Sequence, residues 1–294
     1  MILPRLVLGT ARIAGGAEAV ALISSGLDAG ICHIDTAPSY GIGTAERIVG
    51  EALAGFDQVR VTTKLGSIRP AQPWLRTLAR RVKRALVSAD EPAAVFAPAT
   101  ISEPSGNDFA LAAMTQSLEL SCARLGRVDD LLLHDISLPE ATDVVLECLT
   151  KLAGSVGAAP GYAGYAQWDP ALDKAFPAGM IAQCAPDPGW FTGPTPAPSA
   201  RLLRLHSLAK TGLAVAASDP RFAEALHRAA ATVTARDPLT AQIAVLYALA
   251  AERLPTAKLL IASSRRDRLE AVLAAIAAID RSGQAGEITA LFRA

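Results

Sequence analysis

Short β-rich runs alternate along the chain with longer Ala- and Leu-rich stretches of helical period. The short runs predict strands at residues 6–10, 32–36, 59–64, 130–134, 161–165, 180–183, 213–217 and 258–263. The longer stretches predict helices at 17–28, 44–54, 108–125, 139–152, 200–211, 239–253 and 266–279, with a fainter helical pattern at 169–176. A strand-then-helix rhythm calls for parallel pairing through right-handed crossovers. Eight such units predict an α/β fold of the (β/α)8 TIM barrel type, as one domain over residues 1–294. A doubly wound open sheet is the competing architecture. It wants a glycine-rich phosphate turn after the first strand, and Gly9-Thr10-Ala11-Arg12 is not a GxGxxG.

Three stretches interrupt the rhythm: 66–107 with its five prolines, 184–199 with Trp190 and Phe191, and 219–237, which has room for a helix. Each follows a predicted strand. All three are therefore expected on the C-terminal face of the barrel, as substrate-side insertions.

Composition narrows the class. Apolar residues make up 51% and charged residues 19%, the balance of a folded globular chain. Twenty-eight basic and 28 acidic residues cancel, which argues against a nucleic-acid binder. No apolar run is long enough for a membrane span, and MILPRLVLGT lacks the pattern of a secretory signal. Cys32, Cys122, Cys148 and Cys184 are scattered without a CxxC pair, as expected for buried thiols in a reducing compartment. A cytoplasmic enzyme acting on a small molecule is the class these features favour.

The strand ends carry the chemistry. The second strand ends in His33-Ile34-Asp35-Thr36-Ala37, the third in Thr62-Thr63-Lys64 and the fourth in Leu131-Leu132-Leu133-His134-Asp135. Side chains alternate along a strand, so Asp35, Lys64 and His134 can face the barrel interior at one rim. Tyr40, five residues after Asp35, can reach the same place. An ammonium about 4 Å from a phenol favours the phenolate by up to about 4 kcal/mol, or about three pKa units. Asp35 would hold Lys64, Lys64 would acidify Tyr40, and His134 would orient a carbonyl oxygen. Such a proton donor needs a hydride donor as its partner, hence a nicotinamide cofactor. His33 is expected to be structural. A metal site is disfavoured, because strand alternation sends His134 and Asp135 to opposite faces and no HxH or HExxH occurs.

The stretch GICHIDTAPSYGIGTAERIVGEAL, followed by VRVTTKLG and DDLLLHD, resembles the aldo-keto reductase superfamily. Within it the chain looks most like the bacterial aldose and sugar dehydrogenase branch. The resemblance implies a (β/α)8 barrel that binds NADP(H) and acts on a carbonyl or sugar substrate. Its four catalytic positions fall on Asp35, Tyr40, Lys64 and His134. It also implies cofactor contacts at Gln183 and Gln167, and a grip on the adenosine 2′-phosphate by Ser263, Ser264, Arg265 and Arg268. At other family positions the chain departs: Ala166 replaces a serine, Ala217 falls where an aromatic stacks on the nicotinamide, and Ala271-Val272 replace an acidic–amide pair that reads adenine. The departures keep two alternatives open. One is redox-neutral lyase or epimerase chemistry with altered or lost cofactor use. The other is a non-enzymatic binding protein on the same fold.

Overall fold

The structure, a computed structural model, describes residues 1–13, 15–67, 107–193 and 202–292. In strand β4 (Asp130–His134) successive side chains take opposite faces: Leu131 and Leu133 join the main apolar core, while Asp130, Leu132 and His134 turn inward. The same alternation runs through β1 (Leu6–Gly9), β2 (His33–Asp35), β3 (Arg60–Leu65), β5 (Ala159–Gln167), β6 (Ile181–Ala185), β7 (Leu202–Leu205) and β8 (Lys258–Ile261). Neighbours pair in chain order, all parallel, and β8 closes on β1. The expected (β/α)8 barrel is therefore present.

Around it lie α1 (Ala17–Asp28), α2 (Ala45–Ala52), α3 (Leu111–Leu125), α4 (Asp143–Val156), α5 (Pro170–Ala175), α6 (Gly189–Thr192), α7 (Leu208–Ser218), α8 (Pro220–Ala230), α9 (Pro238–Arg253), α10 (Arg266–Ser282) and α11 (Ala285–Ala290). Side-chain caps define several starts. Thr142 accepts from Val145 N, Asp169 from Ala171 N, and Asp237 from Thr240 N. Among the described residues no helix is long and apolar enough to cross a membrane. Cys184 is buried as expected, but Cys32 is exposed.

The seventh strand corrects the sequence reading. Residues 213–217 lie inside α7, and β7 falls within the span 200–211 that was expected to be helical. Leu208, Gly212 and Val215 are buried at helical spacing, so the apolar stretch around 213–217 belongs to a helix. β7 is disguised because its inward residue is Arg204, whose charge is met by Asp130, a partner distant in the sequence.

Inside the barrel the layers differ in character. At the N-terminal end, Asp130 accepts from Arg60 Nε at 2.9 Å, Arg204 Nη2 at 2.8 Å and Thr62 Oγ1 at 2.9 Å. His33 Nε2 lies 2.8 Å from Thr62 Oγ1 and 3.2 Å from Asp130 Oδ2, which makes His33 structural, as expected. Burial opposes the Asp130 charge. Hydrogen bonds from His33 and Arg60, with the charge of Arg204, nonetheless hold its carboxyl well below the usual range. Above this layer Leu132, Ala163 and Ile181 form a small apolar cluster. Gly161 pairs with both Leu132 and Ile181, and a Cβ there would meet Ile181 O at 2.4 Å and Leu132 Cδ2 at 2.8 Å. Only glycine lets the strands close at that point.

Of the three expected insertions, residues 68–106 and 194–199 lie outside the described residues. The described part of 184–199 packs on the outer helices. Phe191 stacks edge-on against Phe222 at 5.9 Å, and Arg253 Nη1 donates to the carbonyls of Trp190 and Gly193. The stretch 219–237 contains α8, capped by Asp219, and α8 packs on α7 and α9.

Candidate active site

The site is assembled by the ends of adjacent strands. β2 delivers Asp35 and Thr36, braced by Thr10, whose hydroxyl contacts Thr36 Oγ1 at 2.9 Å. β3 delivers Lys64, fully buried, whose Nζ donates to Asp35 Oδ1 at 2.7 Å and to Thr36 O at 2.9 Å. After β2 the chain makes a tight turn at Tyr40–Gly43, where Gly41 (φ 57°) and Ile42 (φ 58°) are both left-handed. That conformation suits Gly41 and strains the β-branched Ile42, at a cost of about 1–3 kcal/mol. Thr44 Oγ1 donates to Gly41 O at 2.7 Å and fixes the turn. The turn carries Tyr40 over the rim.

There the side chains meet. The Lys64 ammonium lies 4.6 Å from the centroid of the Tyr40 ring. The rings of Tyr40 and His134 meet edge to face with centroids 5.4 Å apart. The structure thus brings Asp35, Tyr40, Lys64 and His134 to one place. It corrects the electrostatics expected of them. Burial pushes the Tyr40 phenol up to about 12, with Lys64 opposing by charge and hydrogen bonding without cancelling the effect. Burial also works against the Lys64 ammonium, but Asp35 and Tyr40 hold its pKa above the ordinary value. Burial, with the charge of Lys64, lowers His134 to about 3, so its imidazole is neutral at pH 7.

Asp135 corrects a second expectation. Its backbone is left-handed (φ 49°), which undoes the strand alternation and brings Oδ2 to 3.6 Å from His134 Nε2. The two side chains share the site.

The rim also holds groups suited to a nucleotide. Gln183 on β6 is buried, and its Oε1 has no partner among the described residues. Asp35 Oδ2 and His134 Nδ1 are likewise buried and unpartnered there. A buried amide oxygen left open fits a donor such as a carboxamide N–H. Gln167 is exposed at the end of β5, past an irregularity in the β5–β6 register. Ser263 Oγ donates to Arg265 O at 2.8 Å and accepts from Arg265 N at 3.0 Å, a local turn leading into α10. Ser264 is exposed beside it. Arg265 pairs with Asp267 at 2.6 Å and Arg266 with Glu270 at 2.7 Å, whereas Arg268 has no ion-pair partner among the described residues. The basic helix start is thus partly neutralised by its own carboxylates. Val272 packs in the core.

Because β7 ends at Leu205, His206 and not Ala217 follows the seventh strand at the rim. His206 Nε2 lies 2.9 Å from Gly164 O and Nδ1 lies 3.0 Å from Ser207 Oγ. Burial lowers its pKa, leaving a neutral ring held in place from both sides. Sequence reasoning missed this residue by misplacing β7. The inward parity of Arg204 would have found it, since His206 is two residues on. Asp135 had a weaker signal: Asp is one of the few residue types that tolerate a left-handed backbone.

The sequence pattern of the aldo/keto reductase family matches residues 5–156, more than half of the chain. The chain belongs to the aldo/keto reductase family. No curated relative matches it by sequence. Solved aldo-keto reductases share its fold. One is an aldo-keto reductase from Bacillus halodurans in its holo form, with TM-score 0.60, 16% identity, and coverage of 97% of this chain and 91% of that one. Another is a glycerol dehydrogenase from Gluconobacter oxydans, with TM-score 0.60, 20% identity, and 97% and 91% coverage. A third is an aldo/keto reductase from Klebsiella pneumoniae in complex with NADP and acetate, with TM-score 0.59, 19% identity, and 98% and 91% coverage. The aldo/keto reductase match spans all four expected catalytic positions of this chain.

Proposed function

We propose that this chain is an NADP(H)-dependent oxidoreductase that interconverts a small carbonyl compound and its alcohol. The observation that carries the proposal is the convergence of Asp35, Lys64, Tyr40 and His134 beside a buried, unpartnered Gln183 Oε1. When bound, the cofactor would supply the hydride. Gln183 would accept from its carboxamide, with Gln167 alongside. Ser263, Ser264 and Arg268 would hold its 2′-phosphate, and Arg265 would join them only by loosening its pair with Asp267. The His206 ring stands at the end of β7.

The chain's own residues then handle the proton. His134, neutral, donates one N–H to the carbonyl oxygen and orients it. Tyr40, protonated at neutral pH, gives its proton to that oxygen as negative charge develops there. Lys64 stabilises the phenolate left behind, and Asp35 keeps Lys64 charged and in place. In oxidation the phenolate takes the proton back. The redox-neutral alternative rests on the departures at Ala166, Ala217 and Ala271-Val272; His206, which follows β7, supplies an aromatic ring in place of Ala217, and the other departures stand.

The test is NADPH consumption over a panel of aldehydes, ketones and sugars, with Tyr40→Phe as control. Turnover by the native chain that collapses in the variant supports the proposal. Turnover that persists in Tyr40→Phe, or that proceeds without cofactor, contradicts it.

A further inference from the structure

Asp135 is a charged residue in the site that the mechanism leaves unused. Its conformation is built rather than incidental. The backbone is left-handed (φ 49°), its N–H donates to Ala163 O at 2.6 Å, and Asn107 Nδ2 donates to the carbonyls of His134 at 3.0 Å and Asp135 at 3.2 Å. These bonds hold the carboxylate against the catalytic imidazole, with Oδ2 3.6 Å from His134 Nε2. That separation is too long for a hydrogen bond, and among the described residues no donor reaches the carboxylate. The Asp135 side chain is 41% exposed while that of His134 is 9% exposed, so the carboxylate is accessible beside the imidazole. Burial raises the Asp135 carboxyl above its ordinary value, with the charge of Lys64 opposing.

Charge balance singles it out further. Asp35 and Lys64 neutralise each other at 2.7 Å, and the rings of His134 and His206 are neutral at pH 7. Among the described residues of the site, no Lys or Arg side chain forms an ion pair with the Asp135 carboxylate, and its acceptor positions are open. An oxygen bound at His134 Nε2 would lie near Asp135 Oδ2, which is 3.6 Å from the same nitrogen.

We propose that Asp135 is a specificity-determining residue: its carboxylate accepts a hydrogen bond from a hydroxyl on the carbon next to the reacting carbonyl. The site thereby favours 2-hydroxyaldehydes and sugar-like substrates over bare alkanals, and it repels a carboxylate at that position. The inference rests on the oxidoreductase reading above and names its substrate class.

The experiment compares kcat/KM for glyceraldehyde, propanal and glyoxylate in the native chain, Asp135→Asn and Asp135→Gly. Both replacements accept a left-handed backbone, so the turn survives. The glyceraldehyde-to-propanal ratio is expected to fall about tenfold or more in each variant, the scale of a hydrogen bond to a charged group. The glyoxylate-to-propanal ratio is expected to rise. A glyceraldehyde-to-propanal ratio unchanged within about twofold in both variants overturns the proposal. Saturation-transfer NMR with glycerol and propan-1-ol reads the same preference without turnover. If the native chain reduces none of the three aldehydes, the oxidoreductase reading is decided by its own wider panel and the NMR contrast decides on Asp135 alone. A glycerol preference lost in Asp135→Asn supports Asp135 as the acceptor, and equal signals in native chain and variant overturn it.

Discussion

Two buried charge clusters occupy the two ends of the barrel, and they are finished to different degrees. At the N-terminal end Asp130 is met by Arg60, Arg204, Thr62 and His33. At the C-terminal end Lys64 has its partners, but Asp35 Oδ2, His134 Nδ1 and Gln183 Oε1 have none among the described residues. The first pattern is that of a structural network, in which a removed partner leaves a buried charge alone. The second is that of a site whose remaining partners come with a ligand. Both ends hold a buried carboxylate paired with a cation, so the presence of charge does not separate scaffold from site. The acceptors left over do.

Three perturbations sharpen this contrast. The largest effect belongs to Tyr40→Phe, which removes the proposed proton donor from the open end. It is expected to lower kcat for carbonyl reduction by about 10²–10⁴-fold, measured as NADPH consumption, with the unfolding midpoint little changed. Next is Asp130→Asn at the closed end. It leaves Arg204 buried without its countercharge and is expected to cost about 3–5 kcal/mol in urea unfolding, while NADPH affinity is retained. A stability loss under about 1 kcal/mol would mean that the lower cluster is not the structural one.

The smallest effect is acid sensitivity. His33, His134 and His206 all have lowered pKa values, with burial the largest cause. Below about 6.5 the unfolded chain binds protons that these folded imidazoles refuse, so stability rises with pH across the window. For His134 that window runs from about 3 to the ordinary value. Asp130, held below the usual carboxylate range, adds a loss only below about pH 4. The urea midpoint is expected to be lower at pH 5 than at pH 7.5, and equal midpoints would contradict the assignment of buried neutral histidines.

Most of the barrel was legible because seven strands announce themselves as short β-rich runs that alternate with helical stretches. The eighth did not. Leu202-Leu203-Arg204-Leu205 hides a strand because its inward position carries an arginine whose partner, Asp130, is far away in sequence. That one misplacement also moved the residue after β7 from His206 to Ala217. The convergence of Asp35, Lys64, His134 and Tyr40 was legible from parity, since the first three share the inward face and a short turn returns Tyr40 to them. The Tyr40 pKa was not, because pair geometry gives the pull of Lys64 while burial, which outweighs it, depends on the whole rim. Asp135 escaped because a single left-handed φ reverses the alternation that sequence reasoning relies on.

The central claim is that the open acceptors at the C-terminal rim belong to a nicotinamide nucleotide site. Thermal or urea unfolding with and without NADPH tests it most directly. With NADPH at 100 times its dissociation constant, read from nicotinamide fluorescence, the fold is expected to gain about 2.7 kcal/mol. Gln183→Ala is expected to need a higher NADPH concentration for the same gain. Absence of any fluorescence change or stabilisation by NADPH at millimolar concentration would contradict the account.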